Sequence, residues 1–140
     1  MGFIVAYTGF NIRCSVVTPD ALIVDDEVSE VRLPGHDGGF GVLPGHAPML
    51  FKLGLGIIRL HYLRAGWGEF LIEGGFAHVC DNEVTVFTRG AIGPKQMGEA
   101  EAEEALRRAQ VMDSATIEQV EVRSTAIQRA KLLEQLVQPR

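Results

Sequence analysis

Apolar residues along this chain recur in two rhythms. Through the first ninety residues they alternate in short runs broken by turn-forming residues. Ile12, Cys14 and Val16 are spaced by Arg13 and Ser15, and the run stops at Thr18-Pro19-Asp20, a turn signal. Residues 22–24 and 28–33 read as two further strands, separated by the acidic Asp25-Asp26-Glu27. Ile58, Leu60 and Tyr62 alternate with Arg59 and His61. Ala65-Gly66 is expected to turn the chain into Phe70-Leu71-Ile72, and Asp81-Asn82 to turn it between residues 76–80 and 84–87. Many short strands at this spacing predict an all-β sandwich or flattened barrel.

The second rhythm has the period of a helix. Ala102, Ala105, Ala109 and Met112 share one face. Ala126, Ala130, Leu133 and Val137 share another, as do Ile117, Val120 and Ile127. Asp113-Ser114 is the one turn-like point, and Ser114 is expected to cap the second helix. Two helices of about 15 and 23 residues result, forming a C-terminal hairpin. The apolar face of the first is mostly alanine, which buries little area and docks weakly. The hairpin is therefore expected to alternate between lying folded on the sandwich and opening out. At ~1.5 Å per residue, forty residues as one rod reach ~60 Å.

Composition sharpens the division. All 16 glycines fall at or before Gly98, and all aromatic residues at or before Phe87. The predicted organisation is a β-sandwich domain over residues 1–90, a glycine- and proline-containing hinge over 91–98, and a helical hairpin over 99–138. With 46% hydrophobic and 22% charged residues in 140, the chain has material for a core. The net charge of -5 argues against non-specific nucleic-acid binding, which needs clustered cations. Cys14 and Cys80 form no CxxC and read as two buried reduced thiols in strands. No apolar run approaches the ~18 residues that span a bilayer. The start, MGFIVAYTGF, is apolar but lacks the basic residues of a signal peptide, and Ala6 stands where myristoylation wants Ser or Thr. It reads as an extra strand or a docking segment.

Candidate chemistry is sparse. His36, His46, His61 and His78 show no metal-ligand spacing, and neither GxSxG nor GxxxxGK[ST] occurs. Glu99, Glu101, Glu103 and Glu104 lie where a helix begins and suit its dipole. A small enzyme using His46 or His78 with nearby carboxylates rests only on scattered polar residues. Residues 38–50, GGFGVLPGHAPML, concentrate four glycines and two prolines with no nucleophile or ligand set. Glycines admit positive φ and close approach, and prolines reduce the entropy lost on docking. The stretch therefore reads as a rigid loop shaped to fit a partner, or as a tight sandwich crossover.

At these residues the chain resembles the epsilon subunit of F-type ATP synthases. The resemblance runs through Val16-Val17-Thr18-Pro19-Asp20, Glu27-Val28, residues 31–35 and, most specifically, residues 38–48, GGFGVLPGHAP. Leu53, Gly56, Ile58-Arg59, Gly74-Gly75-Phe76 and residues 82–86 follow in step. It covers residues 12–88, and the tail agrees in length, order and composition.

The resemblance implies a non-catalytic rotor subunit that couples the gamma subunit to the ring of c subunits. By position, Thr18, Pro44 and His46 would face gamma, and Asp37, Gly38, Gly39 and Phe40 would touch the ring. The helices would lie on the sandwich or extend into the alpha/beta catalytic head and block ATP hydrolysis. Some members bind ATP through an (I/L)DxxRA phrase. The nearest text here, Glu103-Glu104-Ala105-Leu106-Arg107-Arg108, departs from it at three positions and leaves Glu104 and Arg107 as the nucleotide candidates. No other cofactor is expected. A stand-alone ATP-sensing module is the alternative within this fold. The expected location is peripheral, on the cytoplasmic face of a bacterial plasma membrane, since no transit-like segment precedes the sandwich. An organellar inner or thylakoid membrane is the alternative.

Overall fold

The computed structural model describes residues 11–138. It divides into two compact units, one ending at Ala91 and the other beginning at Ile92. The expected role of the first ten residues lies outside the described part.

Unit one is a single sheet folded into a sandwich. Its strands are β1 (Ile12–Val17), β2 (Leu22–Val28), β3 (Glu30–Gly35), β4 (Gly38–Val42), β5 (Met49–Tyr62), β6 (Gly66–Cys80) and β7 (Glu83–Phe87). They run in the order β2-β1-β7-β6-β5-β3-β4, and the two-residue β8 (Ala91–Ile92) pairs with β6. β5 and β6 are 14 and 15 residues long, about twice an ordinary strand, because each serves both layers. Met49 to Leu53 pair with Gly75 to Val79 beside β7, whereas Leu55 to Tyr62 pair with Glu73 to Gly66 beside β3.

Glycine makes the passage between layers. Gly74 and Gly75 have φ of +73° and +113°, and a Cβ on Gly75 would overlap the Phe87 carbonyl oxygen. This glycine bend switches which parity points inward without changing the β5–β6 register: Ile72 is buried before it, Ala77 and Val79 after it. Thr88, the one buried polar residue among those described, accepts from Glu73 N–H at 3.3 Å and donates to the Gly90 carbonyl at 3.2 Å. Residues 70–72 and 76–80 are thus one strand rather than the expected two.

The core lies between the layers and includes Ile12, Cys14, Val16, Val28, Leu33, Ile58, Leu60, Ile72, Val79 and Val86. Tyr62 O–H donates to Asp26 at 3.2 Å, linking β5 to β2. Asp25, Asp26 and Glu27 do not separate two strands as expected. They lie inside β2, where they are exposed on an outer strand and Asp25 pairs with Arg13 at 2.9 Å. Both cysteines are free; Cys14 is buried and Cys80 half-buried. Burial pushes the Cys14 thiol up to about 12.

Unit two carries α1 (Glu99–Gln110) and α2 (Ile117–Val137), which pack on each other. They have 12 and 21 residues, shorter than the helical spacing of apolar positions suggested. Glu99 and Glu101 occupy the first turn of α1, and Arg107 and Arg108 its last, matching the helix dipole at both ends. Arg123 donates to the Gln110 carbonyl at 3.1 Å. The cap of α2 is Thr116 rather than Ser114: its hydroxyl accepts from Gln119 N–H at 3.1 Å while the Gln119 side chain reaches back to Thr116 N–H. Ala102, Ala109, Ala130, Leu133 and Leu136 are buried, whereas Ile117 and Val120 of the third expected face are exposed.

Candidate partner-facing surface

Strand pairing sets the outward residues of the layer formed by β2, β1, β7 and β6. Val16, Val86 and Ala77 point inward, so their neighbours Val17, Phe87 and Phe76 point outward. Register places Leu22, Val17, Phe87 and Phe76 opposite one another across four strands. At ~4.8 Å per strand this is an apolar row of about 15 Å. Leu22, Phe76 and Phe87 are 57%, 50% and 51% exposed, high values for aligned large apolar side chains. Leu50, two positions along from Lys52 on β5, adds another exposed apolar group to the same face.

The outer face of the other layer is mixed: Ile57 lies opposite Leu71 on the same face as Arg59 and Glu69. Trp67 lies between the guanidiniums of Arg32 and Arg59 at 4.7 and 4.6 Å. These arginines pair with Glu30 and Glu69, and His61 Nδ1 shares a 2.7 Å hydrogen bond with Ser29.

The expected gamma contacts occupy two ends of the first layer. Thr18 follows Val17 and closes the turn to β2, its N–H and hydroxyl both donating to the Ala21 carbonyl at 2.9 and 3.2 Å. Pro44, Gly45 and His46 lie in the crossover of residues 43–48 between β4 and β5. Gly45 N–H donates at 2.6 Å to Asn82 in the β6–β7 turn, which is the opposite end of the strands from Thr18. Arg13 pairs with Glu83 and Val17 with Phe87, so about 13 Å of strand separates the two ends. A partner touching both Thr18 and His46 would span about 13 Å along the strands.

The residues expected at the ring divide between a turn and a strand. Asp37 is exposed in the tight turn after β3, and Gly38 takes a φ of +133°. Gly38, Gly39 and Phe40 belong to β4, so only Asp37 of the expected contact lies in the loop. Phe40 packs on Phe51 at 3.9 Å, and Phe51 meets the edge of the His46 ring at 6.1 Å. The structure therefore joins the two expected contact regions through Phe51, a residue that sequence reasoning did not single out. In the sequence, Phe76, Phe87 and Asn82 read as strand or turn residues, Phe76 and Asn82 also within the family resemblance. The parity of β7, with Val84 and Val86 inward, was the available signal for Phe87.

Glu104 and Arg107 lie one turn apart on α1 and form an ion pair, and Arg108 approaches Glu104 at 3.4 Å. Hydrogen bonding and the charge of Arg107 hold the Glu104 carboxyl below its usual range. The groove beside them is lined in part by Glu101, Arg129 and Leu133. Among the described residues no three His, Cys, Asp or Glu side chains converge as metal ligands. No described helix is long and apolar enough to cross a membrane.

Comparison with known proteins gives this surface its context. The ATP synthase Delta/Epsilon chain β-sandwich domain matches residues 11–94. The chain is 40% identical over 121 residues to the ATP synthase epsilon chain of Rhodopirellula baltica, covering 86% of this chain and 94% of that one. It is 33% identical over 129 residues to the chloroplastic epsilon chain of Oltmannsiellopsis viridis, covering 91% and 98%. Its fold resembles a chain in the Euglena gracilis mitochondrial ATP synthase OSCP/F1/c-ring assembly, with TM-score 0.82 and 24% identity over 98% of this chain and 88% of that one. A chain of the Tetrahymena thermophila mitochondrial ATP synthase central stalk and c-ring shares the fold at TM-score 0.65 and 13% identity, over 94% and 99%. The chain belongs to the delta/epsilon family of F-type ATP synthases, in its epsilon branch, whose members are non-catalytic subunits.

Proposed function

We propose that this chain is a rotor subunit that joins the gamma subunit to the c ring and restrains ATP hydrolysis through its helical unit. The observation that carries the reading is the exposed apolar row Leu22–Val17–Phe87–Phe76. A row of this size left in water costs solubility, and covering it with a partner offsets that cost. Gamma is the partner that family membership suggests for this face, with Thr18, Pro44 and His46 at its margins. The Asp37–Gly38 turn, with Gly39 and Phe40 behind it, is assigned to the ring. Similarly folded chains occur in F1/c-ring and central-stalk assemblies, which supports the same placement. The location that follows is peripheral to a membrane, and the bacterial epsilon chain at 40% identity favours the cytoplasmic face of a plasma membrane.

The test is ATPase activity of a catalytic head stripped of its own epsilon. It is titrated with the full chain and with the chain ended at Ala91, the boundary between the units. Inhibition by the full chain alone is the expected result and assigns the brake to residues 92–140. Binding of both forms without inhibition would leave a coupling subunit with no brake. Binding of neither would remove the rotor assignment.

Nucleotide binding at Glu104 and Arg107 is the second reading, and we infer that it is weak. Arg107 and Arg108 both already face the Glu104 carboxylate, so a triphosphate would compete with an existing ion pair. Calorimetry at millimolar ATP is expected to show no heat. Saturable heat that disappears in Arg107→Ala would overturn this inference.

A further inference from the structure

The turn that carries His46 is held from outside itself. Within the turn, His46 N–H donates to the Leu43 carbonyl at 3.1 Å, and Gly45 has φ of +84°. The Gly45 N–H points away and donates to the carboxamide oxygen of Asn82 at 2.6 Å, across 37 positions of sequence. Asn82 has φ of +61° and follows Asp81 at +50°, a left-handed pair in which asparagine and aspartate are the tolerated non-glycine residues. The Asn82 main chain is fixed as well, because its carbonyl accepts from Arg13 N–H at 2.9 Å. Its backbone is anchored to β1 while its side chain reaches the crossover loop. On the far side of the loop the Phe51 ring meets His46 edge-on.

We propose that Asn82 is a positioning residue for the partner-facing loop of residues 43–48: its carboxamide oxygen sets Gly45 and thereby presents His46. The proposal rests on the reading of that loop as a gamma contact. Removing the acceptor leaves the fold of each strand intact but frees the loop, so binding would then include the cost of ordering it.

Two full-length variants separate the side chain from its backbone conformation. Asn82→Gly keeps the left-handed φ and removes the acceptor. Asn82→Asp keeps both. Amide hydrogen exchange at Gly45 and affinity for a gamma-containing complex lacking epsilon are measured for each, with His46→Ala as a control. Asn82→Gly is expected to speed Gly45 exchange at least ~10-fold and weaken binding about 3- to 10-fold, the range of one net hydrogen bond. Asn82→Asp is expected within about twofold of the parent on both measures. Unchanged Gly45 exchange in Asn82→Gly overturns the proposal whatever the binding does. So does an equal loss in Asn82→Asp and Asn82→Gly, or unchanged binding of Asn82→Gly beside weakened His46→Ala. Unchanged binding of His46→Ala instead removes the loop from the gamma interface, while Gly45 exchange still decides what Asn82 holds.

Discussion

Replacing Phe76 and Phe87 together by serine separates docking from folding. Each ring is about half exposed, and the two lie opposite each other on β6 and β7. A phenylalanine side chain buries ~200 Å² when fully covered. A partner covering the exposed half of each removes ~100 Å² from water, an upper contribution of about 2.5 kcal/mol per ring at ~25 cal/mol/Å². Incomplete complementarity reduces this to about 1.5–2 kcal/mol, or roughly 10- to 30-fold in affinity per ring. Neighbouring rings would meet the same part of a partner, so their effects need not add, and the double variant is expected to lose about 100-fold or more. The fold itself loses only one cross-strand pair, ~1 kcal/mol or less. That corresponds to a few degrees in melting temperature. The assay is equilibrium binding of the full chain to a gamma-containing complex lacking epsilon, with a circular dichroism melt of the same samples. Affinity within twofold of the parent, with the melt intact, would refute the assignment of this face.

Three further outcomes follow from the geometry. Gly75→Ala introduces a Cβ against the Phe87 carbonyl at a φ of +113°, and is expected to cost ~3 kcal/mol or more in urea unfolding; a midpoint equal to the parent's would contradict the close approach at Gly75. Alkaline pH is expected to weaken the sandwich. Burial, then the Asp26 charge, raise Cys14 from 9.0 and Tyr62 from 10.0, each to about 12. The unfolded chain therefore gives up these protons first, and stability present below pH ~9 is lost as pH rises toward ~12. Denaturant midpoints across that range should fall less in a Cys14→Ala/Tyr62→Phe variant, and an equal fall would exclude these groups. Thr116→Ala removes one half of the capping box and is expected to cost the helical unit ~1 kcal/mol, read as earlier loss of ellipticity at 222 nm on heating.

Much of the fold is legible from local rules. Alternation identified β1, β7 and the second half of β5, since inward and outward side chains differ in polarity wherever one face is wet. Asp81-Asn82 was readable as a turn because these side chains tolerate the left-handed conformation found there. Alternation failed at β2, where Asp25, Asp26 and Glu27 continue a strand whose pairing comes from β1. It failed again at β6, because the Gly74-Gly75 bend changes parity in mid-strand and makes one strand look like two. Ser114 and Thr116 are equally suitable caps by composition. The reciprocal bond from Gln119 decided between them.

The sequence by itself determined that a glycine- and aromatic-rich sandwich precedes a glycine-free pair of helices, and which family the chain resembles. These are properties of local backbone preference and of the order of residues, and neighbours within a few positions express them. Tertiary structure alone decided that Leu22, Val17, Phe87 and Phe76 form one exposed row, that Phe51 joins Phe40 to His46, and that Asn82 holds Gly45. Each of these joins residues from different strands. Such contacts depend on strand order and register, which pairing between distant segments sets and no local pattern specifies.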